Sequence, residues 1–419
     1  MVRPSEPVGS GALAGLRVCD LTGQLAGAGA TRFLAALGAE VIRVEDPVRQ
    51  GRWDILRGAP PFVDERRGVN VGGAFNNHNV GKLGVTINLR DPLGRQLFEE
   101  LVTVSDVVTE NFSAGVMDRL GLGYDRLREI RPEIIYVSQS GFGASGPYRE
   151  FKTWGPIVQA MSGLTAMSGL ADQPPAGWGY SLMDHAGAYL MGLAVLGAVV
   201  HRDRTGCGQW IDLAAVEAGA SLTGPAVLDC MVNGATFEVG RTSSNRDAGM
   251  APHGVYPARG DDRWVAIACR TDTEWQALRV MIGLDWAEDQ RLAVVRGRKA
   301  CEDELDARMA AWTAGHVDHE LAAGIRAAGV PAAAVLRPDE RIDGPSDGRE
   351  PGPWLFPEVS HDEMGPRRVD GLPLQLSRTP WAIDAAGPCL GADNDRVFGR
   401  LLGRDRAALD ALRAGGVIS

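Results

Sequence analysis

With 419 residues, 45% of them hydrophobic and 23% charged, the chain has enough apolar material for a sizeable core and two or three domains. That balance, with 54 glycines, describes a soluble, compact α/β protein and excludes a disordered one. A formal net charge of −10 excludes a non-specific nucleic-acid binder, which needs a basic face, and leaves room for a local basic pocket.

Six cysteines (Cys19, Cys207, Cys230, Cys269, Cys301 and Cys389) lie far apart, with no Cys-x-x-Cys pair. Buried, reduced thiols in a cytoplasmic protein are expected, without a metal site or a disulfide framework. The N-terminus lacks the basic-then-apolar pattern of a signal peptide.

Residues 1–14 read as a loose tail. Leu16-Arg-Val-Cys-Asp-Leu-Thr predicts a short strand, followed by a small-residue turn from Gly23 and a helix over Ala30–Leu37, closed by Gly38. A second strand, Glu40–Glu45, completes a βαβ unit whose turn lies at the first strand's C-terminal end. Such a unit permits a nicotinamide cofactor with Glu45 on a ribose, but the turn lacks GxGxxG. The literal match, Gly141-Phe-Gly-Ala-Ser-Gly146, leads into Pro147-Tyr148 instead of a helix, so dinucleotide binding is set aside. Residues 46–80 read as an extended surface excursion. Strand from Lys82, helix Arg95–Val104, strand Asp106–Glu110 and strand Ile134–Ser138 then alternate, which predicts a mostly parallel sheet with its loops gathered on one edge.

A loop rich in glycine and aromatic residues ends at Asp184. The uncharged run from Ala186 to Val200 reads as a core helix, too short to span a bilayer, with a polar stop at His201. Asp at that boundary has two readings. One is a helix N-cap; the other is a carboxylate at the mouth of a buried helix, with Gly177, Gly179 and Gly187 leaving room for a ligand. Local sequence leaves both open. Farther on, Trp210 starts a strand that passes into a helix, and residues 233–253 read as a linker or active-site loop. A hairpin around Gly260 and helices over Thr273–Ile282, Cys301–Trp312 and His319–Ala328 predict a smaller α+β domain. Short strands and turns from Pro331 end in a helix over Ala407–Ala414. The expected segments are 1–225, 226–335 and 336–419.

Gly15-Leu-Arg-Val-Cys-Asp-Leu-Thr, Leu37-Gly-Ala-Glu-Val-Ile-Arg-Val-Glu, Glu110-Asn-Phe, Gly115-Val-Met-Asp-Arg-Leu-Gly, Ser140-Gly-Phe-Gly, Ser145-Gly-Pro-Tyr, Thr205-Gly-Cys-Gly-Gln, Gly329-Val-Pro, Pro388-Cys-Leu-Gly and Leu412-Arg-Ala-Gly-Gly-Val-Ile occur in this order. Together they resemble the family III CoA-transferases, which include formyl-CoA:oxalate and carnitine CoA-transferases and the α-methylacyl-CoA racemases. The resemblance implies a large Rossmann-like domain, a smaller α+β domain, a C-terminal segment returning to the first, and two ring-like chains interlocked as a homodimer; some relatives instead pair two different subunits. It places Asp184 on the family's catalytic aspartate, which attacks the acyl-CoA thioester. CoA then serves as a substrate thioester, with no permanently bound cofactor. Leu25, Ala26, Lys82, Asn111, Phe112 and Arg119 fall on CoA contacts, with Leu25 standing where the formyl-CoA enzyme has an assisting glutamine. Two cations and Phe112 at one sheet edge suit the phosphates and adenine of CoA.

The racemase branch needs a second base, and Trp154 stands where family racemases have their histidine. An indole has no proton to exchange at neutral pH, and His185 diverges from Asp184 by about 100° on a helix. CoA transfer between an acyl-CoA and a free carboxylic acid is therefore expected, with a racemase or a non-catalytic acyl-CoA-binding protein as alternatives. The stretches around Trp178 and Met250 resemble a subgroup handling dicarboxylic acids such as succinate, mesaconate or benzylsuccinate. Trp154, Trp178 and Tyr180 are candidates for the acyl pocket.

Overall fold

A computed structural model describes residues 11–169, 173–179, 181–234, 247, 249–343 and 355–419. The chain divides into two compact units, one of residues 1–165, 176–237 and 354–419, the other of residues 166–175 and 238–353. The chain thus leaves the first unit after 237 and re-enters it at 354, beside expected boundaries of 225 and 335.

The first unit contains β1 (Arg17–Asp20), α1 (Ala26–Ala36), β2 (Glu40–Glu45), α2 (Gly73–His78), β3 (Leu83–Thr86), α3 (Pro92–Thr103), β4 (Val107–Glu110), α4 (Val116–Arg119), α5 (Tyr124–Ile130) and β5 (Ile135–Ser140). It continues with α6 (Gly155–Met161), α7 (Leu182–Thr205), β6 (Trp210–Ala214), α8 (Ala215–Leu222) and α9 (Gly224–Asn233). Among the described residues six strands pair in parallel in the order β3-β2-β1-β4-β5-β6. This is the doubly wound order, in which crossover helices cover both faces and the central strands become apolar on both sides. One face packs Ile42, Val85, Phe98, Leu101, Val108 and Leu127; the other packs Val18, Leu34, Val107, Ile135 and Val137 against Met191 and Val195.

Local signals set several helix ends. Asp91 accepts a hydrogen bond from the Leu93 amide at 2.8 Å, with Pro92 in the first helical position, and so opens α3. Gly206, at φ 72°, ends α7 in the left-handed conformation. Helix α1 begins at Ala26, earlier than the sequence suggests. Its glycines oppose helix by propensity, but packing decides: a Cβ at Gly27 would lie 2.4 Å from the Thr22 Cβ. Helix α7 also exceeds its expected span. It is long and apolar enough by length and composition to cross a membrane, yet Ala188, Met191, Val195 and Ala198 lie in the sheet-facing core.

The second unit holds β7 (His253–Pro257), β8 (Trp264–Ala268), α10 (Asp272–Ile282), α11 (Val295–Ala300), α12 (Glu302–Thr313), α13 (Asp318–Ala327), β9 (Ala332–Ala334) and α14 (Pro338–Asp343). Its antiparallel sheet, β7-β8-β9, shares a core with Trp275, Leu278, Leu305, Met309 and Ile325. A reciprocal cap between Thr271 and Glu274 starts α10.

The C-terminal segment carries the hairpin β10 (Glu358–His361) and β11 (Gly365–Arg368) and ends with α15 (Arg406–Ala414). It also closes the exposed edge of the parallel sheet. The outward amides of β3 donate to side chains of the returning tail, Gly84 to Asp393 at 2.8 Å and Thr86 to Asn394 at 2.9 Å. All six cysteines are free, but only Cys19 and Cys269 are buried and Cys207 is exposed, so burial of every thiol does not hold.

Candidate active site

In a doubly wound sheet the crossovers leave a crevice where strand order reverses, at the carboxyl ends of the strands. Here that point lies between β1 and β4. A cavity of about 280 Å³ opens there, lined by the turns that follow β1 (Gln24, Ala26), β4 (Asn111–Ala114) and β5 (Ser140, Gly141), together with Trp53, Trp154 and Asp184.

Asp184 is not the N-cap of α7. Ser181 holds that position, in the left-handed conformation at φ 50°, and Asp184 follows in the first helical turn. Its backbone N–H donates to the Ser181 carbonyl at 2.8 Å, so the backbone hydrogen bond that starts the helix leaves the carboxylate available. The carboxylate is half-buried and lies close to Gly155, where an added Cβ would come within 3.3 Å of Oδ2. Burial raises its pKa above the ordinary aspartate value, with the Ser181 hydroxyl and His185 pulling the other way. The result is a partly desolvated carboxylate at a positive helix end.

Of the residues the sequence singled out, Ala26, Asn111, Phe112, Trp154 and Asp184 line this cavity together. Asn111 uses its amide locally: Oδ1 accepts from the Gly23 amide at 2.8 Å and Nδ2 donates to the Gly23 carbonyl at 2.9 Å, which pins the β1 turn. Phe112 meets Trp53 with ring centroids 5.1 Å apart, forming an aromatic wall. Leu25 caps α1 and does not reach the lining; the residue that does is Gln24, held at φ 58°. A glutamine therefore stands at the cavity, one position before the leucine that the family resemblance implies. Arg119 is exposed on α4, outside the lining. Trp178 is exposed, with its backbone clasped by the Gln159 side chain at 2.9 and 3.0 Å, and is also outside the lining. Tyr180 lies outside the described residues.

Lys82 requires a correction. It is no loop-edge cation: its ammonium is fully buried and donates to Asp20 Oδ2 at 3.1 Å, Ala28 O at 3.0 Å and Asn79 Oδ1 at 2.9 Å. All three ammonium protons are spent, which leaves none for a phosphate. Burial pulls the Lys82 pKa down to about 8, against the support of Asp20. Burial likewise pushes the Asp20 carboxyl up, but Lys82 and Arg43 outweigh it and hold the group below its usual range. Asp20 further accepts from Thr22, Thr31 and Thr109, tying β1, α1, β3 and β4 together beneath the crevice. Glu45 is equally unavailable. Buried beside Arg43, it is gripped through two oxygens by Arg57, which removes the ribose role a nicotinamide site would need.

Sequence reasoning missed Gln24, Trp53, Gln139, Arg149 and Lys152, all of which line the cavity. Arg149 and Lys152 are exposed in the loop between β5 and α6, and supply the cationic character that Lys82 does not. A signal for Gln139 was present: in β5, Ile135, Val137 and Gln139 share a face by the two-residue period, and Gln139 alone in that row is polar.

The sequence matches the profile of CoA-transferase family III over residues 13–394. The chain is 32% identical to the succinyl-CoA–D-citramalate CoA-transferase of Chloroflexus aurantiacus, with 99% of each chain covered. It is 36% identical to the succinyl-CoA:mesaconate CoA-transferase of Haloarcula marismortui, covering 91% of this chain and 94% of the other. Among solved structures, a CAIB/BAIF family protein from Brucella suis superposes with a TM-score of 0.82 at 28% identity, covering 93% of this chain and 99% of that one. With a doubly wound sheet, a carboxylate at its crevice and these likenesses over nearly its whole length, the chain belongs to CoA-transferase family III and is a CoA-transferase.

Proposed function

We propose that this enzyme moves CoA from a dicarboxylyl-CoA donor to a free carboxylic acid through covalent intermediates on Asp184. The observation that carries the reading is a half-buried carboxylate in the first turn of α7, at a cavity on the switch-point edge of the sheet. The Asp184 carboxylate attacks the thioester carbonyl, the C–S bond breaks, and CoA leaves as the thiolate, giving an acyl-aspartyl anhydride. The thiolate attacks the aspartyl carbonyl, the donor acid departs as its carboxylate, and an aspartyl-CoA thioester remains. The acceptor carboxylate attacks that thioester and again displaces the thiolate. Attack of the thiolate on the acceptor's acyl carbon forms the new acyl-CoA and regenerates Asp184. Each anhydride is prone to hydrolysis, so the cavity must exclude water while the CoA body supplies binding energy away from the reacting atoms.

Arg149 and Lys152 at the cavity, with Arg119 on α4, suit the CoA phosphates, and the Phe112–Trp53 pair offers an apolar wall to the pantetheine arm. Relatives that act on succinyl-CoA with D-citramalate or mesaconate support a dicarboxylate pair. A racemase would need a second base facing Asp184. Among the described cavity residues no histidine occurs, and Trp154 stands in the wall. Exposed apolar side chains on α7 and α9, among them Leu193, Leu228, Met231 and Val232, fit the interface of an interlocked homodimer.

Asp184→Asn tests the mechanism. The variant is expected to keep its fold and CoA binding and to lose turnover by roughly 10⁴-fold or more. Wild-type enzyme mixed with acyl-CoA and quenched with hydroxylamine is expected to carry a hydroxamate at Asp184, read by peptide mass. In kcat/KM the acid limb is expected above the ordinary aspartate range, because burial raises the group's pKa. Near-normal CoA transfer by Asp184→Asn would sink the covalent reading.

A further inference from the structure

Gln139 is a polar residue in an apolar row. Ile135 and Val137, which precede it on the same face of β5, pack against Ala188 and Met191 of α7. At the carboxyl end of the strand, where a third apolar side chain would continue the core, a carboxamide stands instead. Gln139 is 3% exposed, and neither its Nε2 nor its Oε1 has a hydrogen-bond partner. Buried side-chain polar atoms are nearly always paired, so a carboxamide unpaired at both ends marks a site completed by something else. The residue lines the same cavity as Asp184. Its amide rests against α7 at Gly187, where an added Cβ would lie 2.5 Å from Nε2, one helical turn beyond Asp184. The adjacent Ser140 Oγ, also in the lining, is likewise buried without a partner.

We infer that Gln139 selects the acyl chain, and that the site takes carboxylic acids carrying a second hydrogen-bonding group, a hydroxyl or a further carboxyl, in preference to plain alkyl acids. This rests on the CoA-transfer reading above and names the specificity residue of that same site. The carboxamide suits the task because it offers a donor and an acceptor together: the donor meets a carboxylate or hydroxyl oxygen, and the acceptor takes a hydroxyl proton. An alkyl chain would leave both buried atoms unpaired, which is how a site that hydrogen-bonds its substrate rejects an analogue lacking the group.

The test is isotope exchange between an acyl-CoA and its own ¹³C-labelled acid, which needs no knowledge of the natural pair. Butyrate, 3-hydroxybutyrate and succinate are compared, each with its own CoA ester. In the unaltered enzyme kcat/KM for succinate or 3-hydroxybutyrate is expected to exceed that for butyrate by about 100-fold or more. Gln139→Met, which keeps length and removes the amide, is expected to shrink that ratio at least about tenfold. Gly187→Ala probes the same wall from the helix side, since its methyl displaces the carboxamide, and it reports the same collapse should Gln139→Met not fold. A ratio near one in the unaltered enzyme, or one unmoved by both variants, overturns the role of Gln139 while CoA transfer stands. Absence of exchange with all three pairs overturns both.

Discussion

Lys82 and Arg149 show at the residue scale how burial assigns a cation its work. Lys82 sits in a fully buried ion pair with Asp20, whereas Arg149 is exposed at the cavity and its guanidinium pairs loosely with the exposed Glu150, at 3.6 Å. Removing one partner of a buried pair leaves an uncompensated charge and typically costs about 3–5 kcal/mol. Lys82→Ala is therefore expected to lower the unfolding free energy by an amount of that order, with a lower denaturation midpoint, and to affect a full CoA thioester and a pantetheine thioester alike. Arg149→Ala and Lys152→Ala are expected to leave the midpoint nearly unchanged and to raise KM for acyl-CoA several-fold, with the loss shrinking on the pantetheine thioester. Equal losses on both thioesters would remove these two residues from the nucleotide contact.

At the scale of one element, the carboxyl end of β4 shows what a strand end stores beside a cavity. Glu110, the last residue of the strand, is buried and accepts from the Phe112 amide at 2.7 Å and the Tyr136 hydroxyl at 3.2 Å. Burial pushes its pKa up to about 7 in spite of these two bonds. A carboxyl whose folded-state pKa exceeds its unfolded value binds more protons when folded, so stability falls as pH rises through the interval between them. For Glu110 that window runs from the ordinary glutamate value of 4.5 to about 7. Over it the group is expected to withdraw stability on the order of 3 kcal/mol, taking 1.36 kcal/mol per pKa unit. Glu110→Gln cannot ionise, so its Tm is expected to vary less between pH 4 and pH 8 than that of the unaltered enzyme. An identical pH slope in the two would show that Glu110 does not titrate in this range. The edge strand β3 uses the same economy differently: its free amides are met by Asp393 and Asn394 of the returning tail, so no second sheet is needed to cover them.

For the whole molecule, Leu193, Leu228, Met231 and Val232 are between 58% and 77% exposed, a large exposed apolar content for two helices of one unit. In solution the chain is expected to run at twice its monomer mass in light scattering, and the paired charges Leu228→Asp and Met231→Asp are expected to shift it toward monomer. A monomeric unaltered enzyme would exclude the homodimer. The alternation of short apolar strands with helices was legible in the sequence, because strand burial on both faces and helical periodicity write themselves into local pattern: the strand expected over Asp106–Glu110 and the helix expected over Ala407–Ala414 each lie within one residue of their place. Asp184 was legible as a carboxylate at a helix start, though with two readings. Only the tertiary structure decided between cap and cavity, by giving the cap to Ser181 and setting Asp184 beside Gly155 and within reach of the strand ends. Only the fold, too, could tell that Lys82 is buried while Arg149 and Lys152 reach the cavity. The charge of a residue is a property of its type, but its freedom to meet a ligand depends on which distant side chains, Asp20 and Asn79 here, have already taken its protons.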